Sequence, residues 1–220
     1  MFWKAILGLG FWAGIFTASH AAALPAPAFD PKNTQTSETA LLSGGCFWGL
    51  QGVYEHVNGV TKVYAGYTGG SADTANYETV STGTTGHAES VQISFDPRVI
   101  SYGQILQIYF SVTTDPTELN RQGPDTGTQY RSEIWYTTPA QKQTATAYIA
   151  QLTPAHVFSA PIVTLVAPAM PFYKAEDYHQ DFLVHHPDYP YIVVNDAPKV
   201  RDLAQTFPAL YRAQAVTVLP

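Results

Sequence analysis

From Thr39 onward the chain switches repeatedly between the two-residue period of a strand and the 3.6-residue period of a helix, and that alternation restricts its fold. Thr39 to Ser43 is a short apolar strand. Gly44 and Gly45 turn the chain, and Phe47, Leu50, Val53, Tyr54 and Val57 then recur at helical spacing until Asn58-Gly59 stops them. Val60 to Tyr67 reads as a second strand, closed by Gly69-Gly70. Val91, Ile93 and Phe95 alternate with Ser90, Gln92 and Ser94, so a half-buried strand is expected over Glu89 to Phe95, ending at Pro97. Ser101 and Gln104 form a capping box for a helix whose buried face is Ile105, Ile108, Tyr109 and Val112. A polar loop, Asp115 to Gln129, precedes a strand over Tyr130 to Tyr136, and Thr138-Pro139 opens a helix to about Leu152. Pro161 to Ala167 is a further strand, with short helices near Glu176 to Leu183 and Val200 to Phe207. This order predicts one mixed sheet with helices packed on it, an α+β two-layer sandwich.

The start of the chain follows another logic. Lys4 precedes an apolar run, Ala5 to Ala18, too short to span a bilayer comfortably, and small residues follow at Ser19, Ala21, Ala22 and Ala23. Residues 1–23 therefore read as a cleavable signal peptide, with an uncleaved anchor or a fortuitous apolar start as the alternatives. The expectation is an exported protein, periplasmic or secreted, without stable membrane insertion. Residues 24–38, rich in Pro, Ala, Ser and Thr, read as a flexible lead-in to one domain over 39–220, with a C-terminal tail from about 200. An apolar content of 45% excludes a disordered polymer. A net charge of −6 with no basic run argues against nucleic acid as a partner.

Cys46 is the only cysteine, which excludes an internal disulfide and any zinc site of several thiolates. At the mouth of the first predicted helix it would face unpaired backbone N–H groups, which favour thiolate over thiol and make it a candidate nucleophile. Glycines at 44, 45 and 49 clear space around it, and Phe47 and Trp48 supply apolar walls. The plainer alternative is a small buried hydrophobe beside two core aromatics.

The wider context favours the reactive reading. Gly44-Gly-Cys-Phe-Trp-Gly49 resembles the active-site signature of the type A peptide-methionine sulfoxide reductases. Four further segments fit in the same order: Gly66 to Gly70, Tyr77 to Glu89 ending in Gly-His-Ala-Glu, Arg121 to Ser132, and Ala175 to Gln180. The resemblance covers about Leu41 to His186 and implies a ferredoxin-like mixed sheet core with extensive irregular chain, in a monomer. It also implies thiol-dependent reduction of methionine-(S)-sulfoxide, in proteins and as the free amino acid, as repair of oxidative damage.

By the same resemblance, Cys46 attacks the sulfoxide sulfur and becomes a sulfenic acid. Glu89 supplies a proton if an apolar pocket keeps it neutral near pH 7. Tyr77 and Tyr130 donate hydrogen bonds to the sulfoxide oxygen, Asp125 orients water or substrate, and Phe47 and Trp48 clasp the S-methyl group. Taken singly, Glu89 could be a solvated carboxylate and the tyrosines mere packing; occurrence with the cysteine motif reverses that. Many members of the family carry extra cysteines that resolve the sulfenic acid, and Val200 to Pro220 has none. An external thiol is therefore expected, from a thioredoxin-like protein, a glutaredoxin or a small thiol such as glutathione, with no bound cofactor. The histidines lack the i, i+4 spacing of a metal site, and His179 is expected to buttress the pocket. Two other classes give different assay outcomes: a cysteine hydrolase would cleave peptides, and an inactive exported binding module would bind methionine sulfoxide without converting it.

Overall fold

A computed structural model describes residues 23–155 and 157–220, so all of the expected leader but its last residue, Ala23, lies outside the described residues. The chain runs through β1 (Glu38–Ser43), α1 (Phe47–Glu55), β2 (Val60–Thr68), the short α2 (Tyr77–Val80), β3 (Ala88–Phe95) and α3 (Tyr102–Ile108). There follow the two-residue strands β4 (Arg121–Gln122) and β5 (Asp125–Thr126), then β6 (Glu133–Tyr136) and α4 (Pro139–Leu152). β7 (Leu165–Pro168), β8 (Phe172–Lys174), α5 (Phe182–His185) and α6 (Ala197–Thr206) complete it.

The main sheet has the order β7-β6-β1-β3-β2-β8. Only β6 and β7 pair in parallel. Its centre, β6-β1-β3-β2 with α1 between β1 and β2 and α3 between β3 and β6, is the split βαβ arrangement of a ferredoxin-like fold. The expected α+β class is therefore observed. β1 is buried at every position from Ala40 to Ser43, which explains a continuous apolar run where alternation would suit a one-sided strand. Hydroxyls at the centre of the sheet are paired: Ser43 and Ser90 lie opposite each other with hydroxyls 2.7 Å apart, and the Trp135 indole donates to Ser43 Oγ at 2.9 Å.

The local signals hold where side chains cap backbone. Ser101 and Gln104 make the reciprocal capping box that opens α3, and Thr138 caps α4 with Pro139 in its first turn. Elsewhere the structure corrects the reading. The helix continuing past Ile108 becomes a π-turn at Tyr109–Thr113, leaving Val112 only half-buried. The expected strand over Tyr130 to Tyr136 begins only at Glu133, because Gly127 at φ +139° starts a 3-10 turn, Thr128–Tyr130. The expected strand from Pro161 pairs only from Leu165, since Val163 N–H donates instead to Pro116. The helix expected over Glu176 to Leu183 is broken by extended Gln180 and left-handed Asp181. The half-buried reading of β3 fails at its start, where Ala88 to Val91 are all buried.

Residues 24–37 have no helix or strand, as their composition implies, yet they are held to the body. Leu24 N–H donates to Ser111, Pro25 O accepts from the Tyr148 hydroxyl, and Asp30 accepts from Ser101 and Gly103. Among the described residues no helix is long and apolar enough to cross a membrane.

Candidate active site

The turn after β1 delivers the cysteine. Gly44 passes so close to the segment after α3 that a Cβ there would lie 2.3 Å from Thr114 Oγ1. Gly45 takes φ +100°, which glycine adopts without strain, and presses on Gln122. Thr114 Oγ1 donates to Gly44 O at 3.0 Å and the Tyr109 hydroxyl to Ser43 O at 2.6 Å. Cys46 emerges as the N-cap of α1, 9% exposed.

Glu89, on β3, is buried, and its Oε2 accepts the backbone N–H of Phe47 at 2.9 Å. That contact ties the first turn of α1 to the sheet and places the carboxyl beside Cys46. Cys46, Phe47, Trp48, Tyr77, Glu89, Asp125 and Tyr130 all line one cavity of about 240 Å³, so the structure brings every site residue read from the sequence together. Tyr77 is held by Glu176, which accepts its N–H at 2.9 Å and the Tyr67 hydroxyl at 2.8 Å. Trp48 stacks face to face on Phe182 at 3.9 Å and donates its indole N–H to His179 Nδ1 at 3.1 Å. His179 also packs against Phe47 and Tyr77, the buttress expected of it.

Residues outside the sequence motifs complete the pocket. Tyr189 and Tyr191 line it, and the Tyr191 hydroxyl donates to Asp125. Asp196 is fully buried against the first turn of α1, where a Cβ on Gly49 would come within 2.1 Å of its Oδ1, and Lys199 Nζ lies 3.2 Å from that oxygen. These come from a stretch, Tyr189 to Lys199, with no strand or helix period; its two tyrosines flanking Pro190 are the one signal that could have marked it.

The electrostatics divide the expected roles. Burial, opposed by the Phe47 N–H and reinforced by Asp125 and Asp196, pushes the Glu89 carboxyl up to about 8, so it is largely protonated at neutral pH. Cys46 departs from expectation. Burial first, then Glu89 and Asp196, raise its thiol well above the ordinary value, and the backbone N–H of Trp48 offsets only part of this. The resting site thus holds a thiol where the helix terminus alone would favour thiolate. Burial likewise raises Tyr77 and Tyr130, which stay hydroxyl donors, and lowers His179, which stays neutral. No group of three or more metal-ligating side chains occurs among the described residues.

A small, partly apolar cavity that joins a thiol to a protonated carboxyl and two phenols suits reduction of a small polar oxide with an apolar substituent. Comparison with known proteins agrees. The family model described as peptide methionine sulfoxide reductase matches residues 38–210. The chain is 59% identical over 190 residues to peptide methionine sulfoxide reductase MsrA 2 of Mesorhizobium japonicum, covering 86% of this chain and 97% of that one. It is 47% identical over 214 residues to MsrA 2 of Synechocystis, covering 95% and 100%. Among solved structures, methionine sulfoxide reductase A of Corynebacterium diphtheriae superposes with a TM-score of 0.58 at 32% identity, covering 76% of this chain and 85% of that one. Reduced Mxr1 from Saccharomyces cerevisiae gives 0.63 at 29%, covering 74% and 92%. The chain belongs to the peptide methionine sulfoxide reductase family.

Proposed function

We propose that this oxidoreductase reduces methionine-(S)-sulfoxide, in oxidised proteins and peptides and as the free amino acid, by leaving the oxygen on Cys46. The S-methyl group seats against Phe47 and Trp48, an apolar contact that orients one sulfoxide epimer with its oxygen toward Glu89, Tyr77 and Tyr130. The two phenols and the carboxylic acid hydrogen-bond that oxygen and make the sulfur electrophilic. Cys46 sulfur attacks the sulfoxide sulfur while Glu89 gives its proton to the oxygen and takes the thiol's, ending as it began; the hydroxyl then passes from the substrate sulfur to Cys46 sulfur as the transient sulfur–sulfur bond breaks and methionine leaves. The sum is thiol plus sulfoxide giving sulfenic acid plus methionine, with two electrons passing from Cys46 to the substrate sulfur. Asp125, held by Tyr191, orients water or substrate at the rim.

The observation that carries this reading is Glu89: a carboxyl in the same cavity as the thiol and protonated at neutral pH is the acid the oxygen needs. With no second cysteine in the chain, an external thiol restores Cys46. We assign that role to a thioredoxin-like protein, with a glutaredoxin or a small thiol as the substitutes, and we place the protein in an exported compartment on the strength of its leader. The test supplies each epimer of an oxidised methionyl peptide with dithiothreitol. Conversion of the S epimer alone is expected; binding without conversion of either would overturn the assignment.

A further inference from the structure

A second cavity also reaches Cys46. It measures about 540 Å³ and includes Thr114, Gln122, Pro124, Asn195 and Lys199 in its lining, but none of Tyr77, Glu89 and Tyr130. Asp125 and Tyr191 line both spaces, so their hydrogen-bonded side chains form a shared wall. Cys46 is only 9% exposed, so an outside thiol can reach its sulfur only along a cavity.

We propose that the larger cavity is the access route of the reducing thiol, separate from the sulfoxide pocket; this rests on the reading of Cys46 as the oxygen acceptor. Displacement at divalent sulfur runs in line, with the incoming sulfur opposite the leaving oxygen. The oxygen arrives on the side of Glu89, Tyr77 and Tyr130, so the thiol must come from the side they do not occupy. The first thiol forms a sulfur–sulfur bond to Cys46 as the sulfur–oxygen bond breaks, and the oxygen leaves as water with the thiol's proton. A second thiol then attacks the outer sulfur, releasing a disulfide and the Cys46 thiol. Among the described lining residues Lys199, ion-paired to Asp196 at 3.2 Å, is the one cation. Asp115 and Glu118 also line the cavity and disfavour a polycarboxylate, so the thiols accepted are neutral or cationic ones, or a cysteine on a protein surface.

Ser111→Trp and Val112→Trp narrow this cavity at residues that do not line the smaller one. One measurement is the burst of methionine formed without reductant; the other is loss of the sulfenic acid from oxidised protein on adding dithiothreitol or, separately, reduced thioredoxin. In both variants the expected burst is unchanged, and resolution by dithiothreitol slows tenfold or more. Equal slowing with thioredoxin assigns the route to protein thiols as well; normal resolution by thioredoxin restricts it to small ones. Resolution by dithiothreitol at the unmodified rate, or a burst that falls in step with resolution, overturns the proposal. Absence of any burst in the unmodified protein would instead defeat the reading of Cys46 itself.

Discussion

Glu89 owes its proton to its surroundings. Buried on β3 and facing Asp125 and Asp196, it ionises only near pH 8, despite the hydrogen bond from Phe47 that favours the carboxylate. The proposed reaction needs the acid form, so kcat/KM should fall as pH rises through about 8. Glu89→Gln is expected to keep the fold, lower the rate by about 10²–10⁴-fold and flatten that alkaline limb. A pH–rate profile of both proteins checks this. The Gly-His-Ala-Glu motif made Glu89 legible in the sequence. The thiol's acidity was not, because a helix terminus stabilises a charge by only about 0.3–2 kcal/mol, and here burial and carboxylates brought close by the fold outweigh it. Tyr191 and Asp196 were invisible for a related reason: packing of an aperiodic segment against α1 puts them beside Cys46.

Among the elements, those stabilised by their own side chains were readable and those stabilised by distant ones were not. The capping box of α3 and the Thr138-Pro139 start of α4 are local. Gln180 is the opposite case. Its side chain accepts Ala65 N–H and donates to Ala65 O and Ala175 O, each at 3.0 Å, standing in for a strand beside β2. That role forces the break between the 3-10 turn at Asp177–His179 and α5, and so sets the position of both His179 and Phe182 around Trp48. Gln180→Ala leaves buried backbone groups unpaired, at a cost of about 2–4 kcal/mol. The expected readout is a fall of roughly 5–15 °C in Tm, together with a raised KM for the sulfoxide as Trp48 loses its supports. An unchanged Tm would show that Gln180 does not hold β2.

At the scale of the molecule, both ends of the described chain are fastened to the body. The C-terminal end is held by Asp181, which accepts Val218 N–H at 3.0 Å and Leu219 N–H at 2.7 Å. Beside it Glu55 is buried, its carboxyl without a hydrogen-bond donor among the described residues and pushed up to about 9 by burial and then by Asp181. The folded value lies above the ordinary 4.5, so the folded state holds a proton that the unfolded chain releases. The stability this group contributes is full below about 4.5 and is lost as pH rises to about 9. Glu55→Gln removes that dependence, and thermal melts should show a gain in Tm at pH 8 that is larger than at pH 5. The central claim, that Cys46 takes up an oxygen primed by Glu89, is tested most directly by the intact mass of the protein after one equivalent of oxidised peptide without reductant. The expected result is one methionine released per chain and one added oxygen, located on Cys46, with no release from Cys46→Ser. Methionine formed by Cys46→Ser at the unmodified rate, or a chain of unchanged mass after turnover, would contradict it.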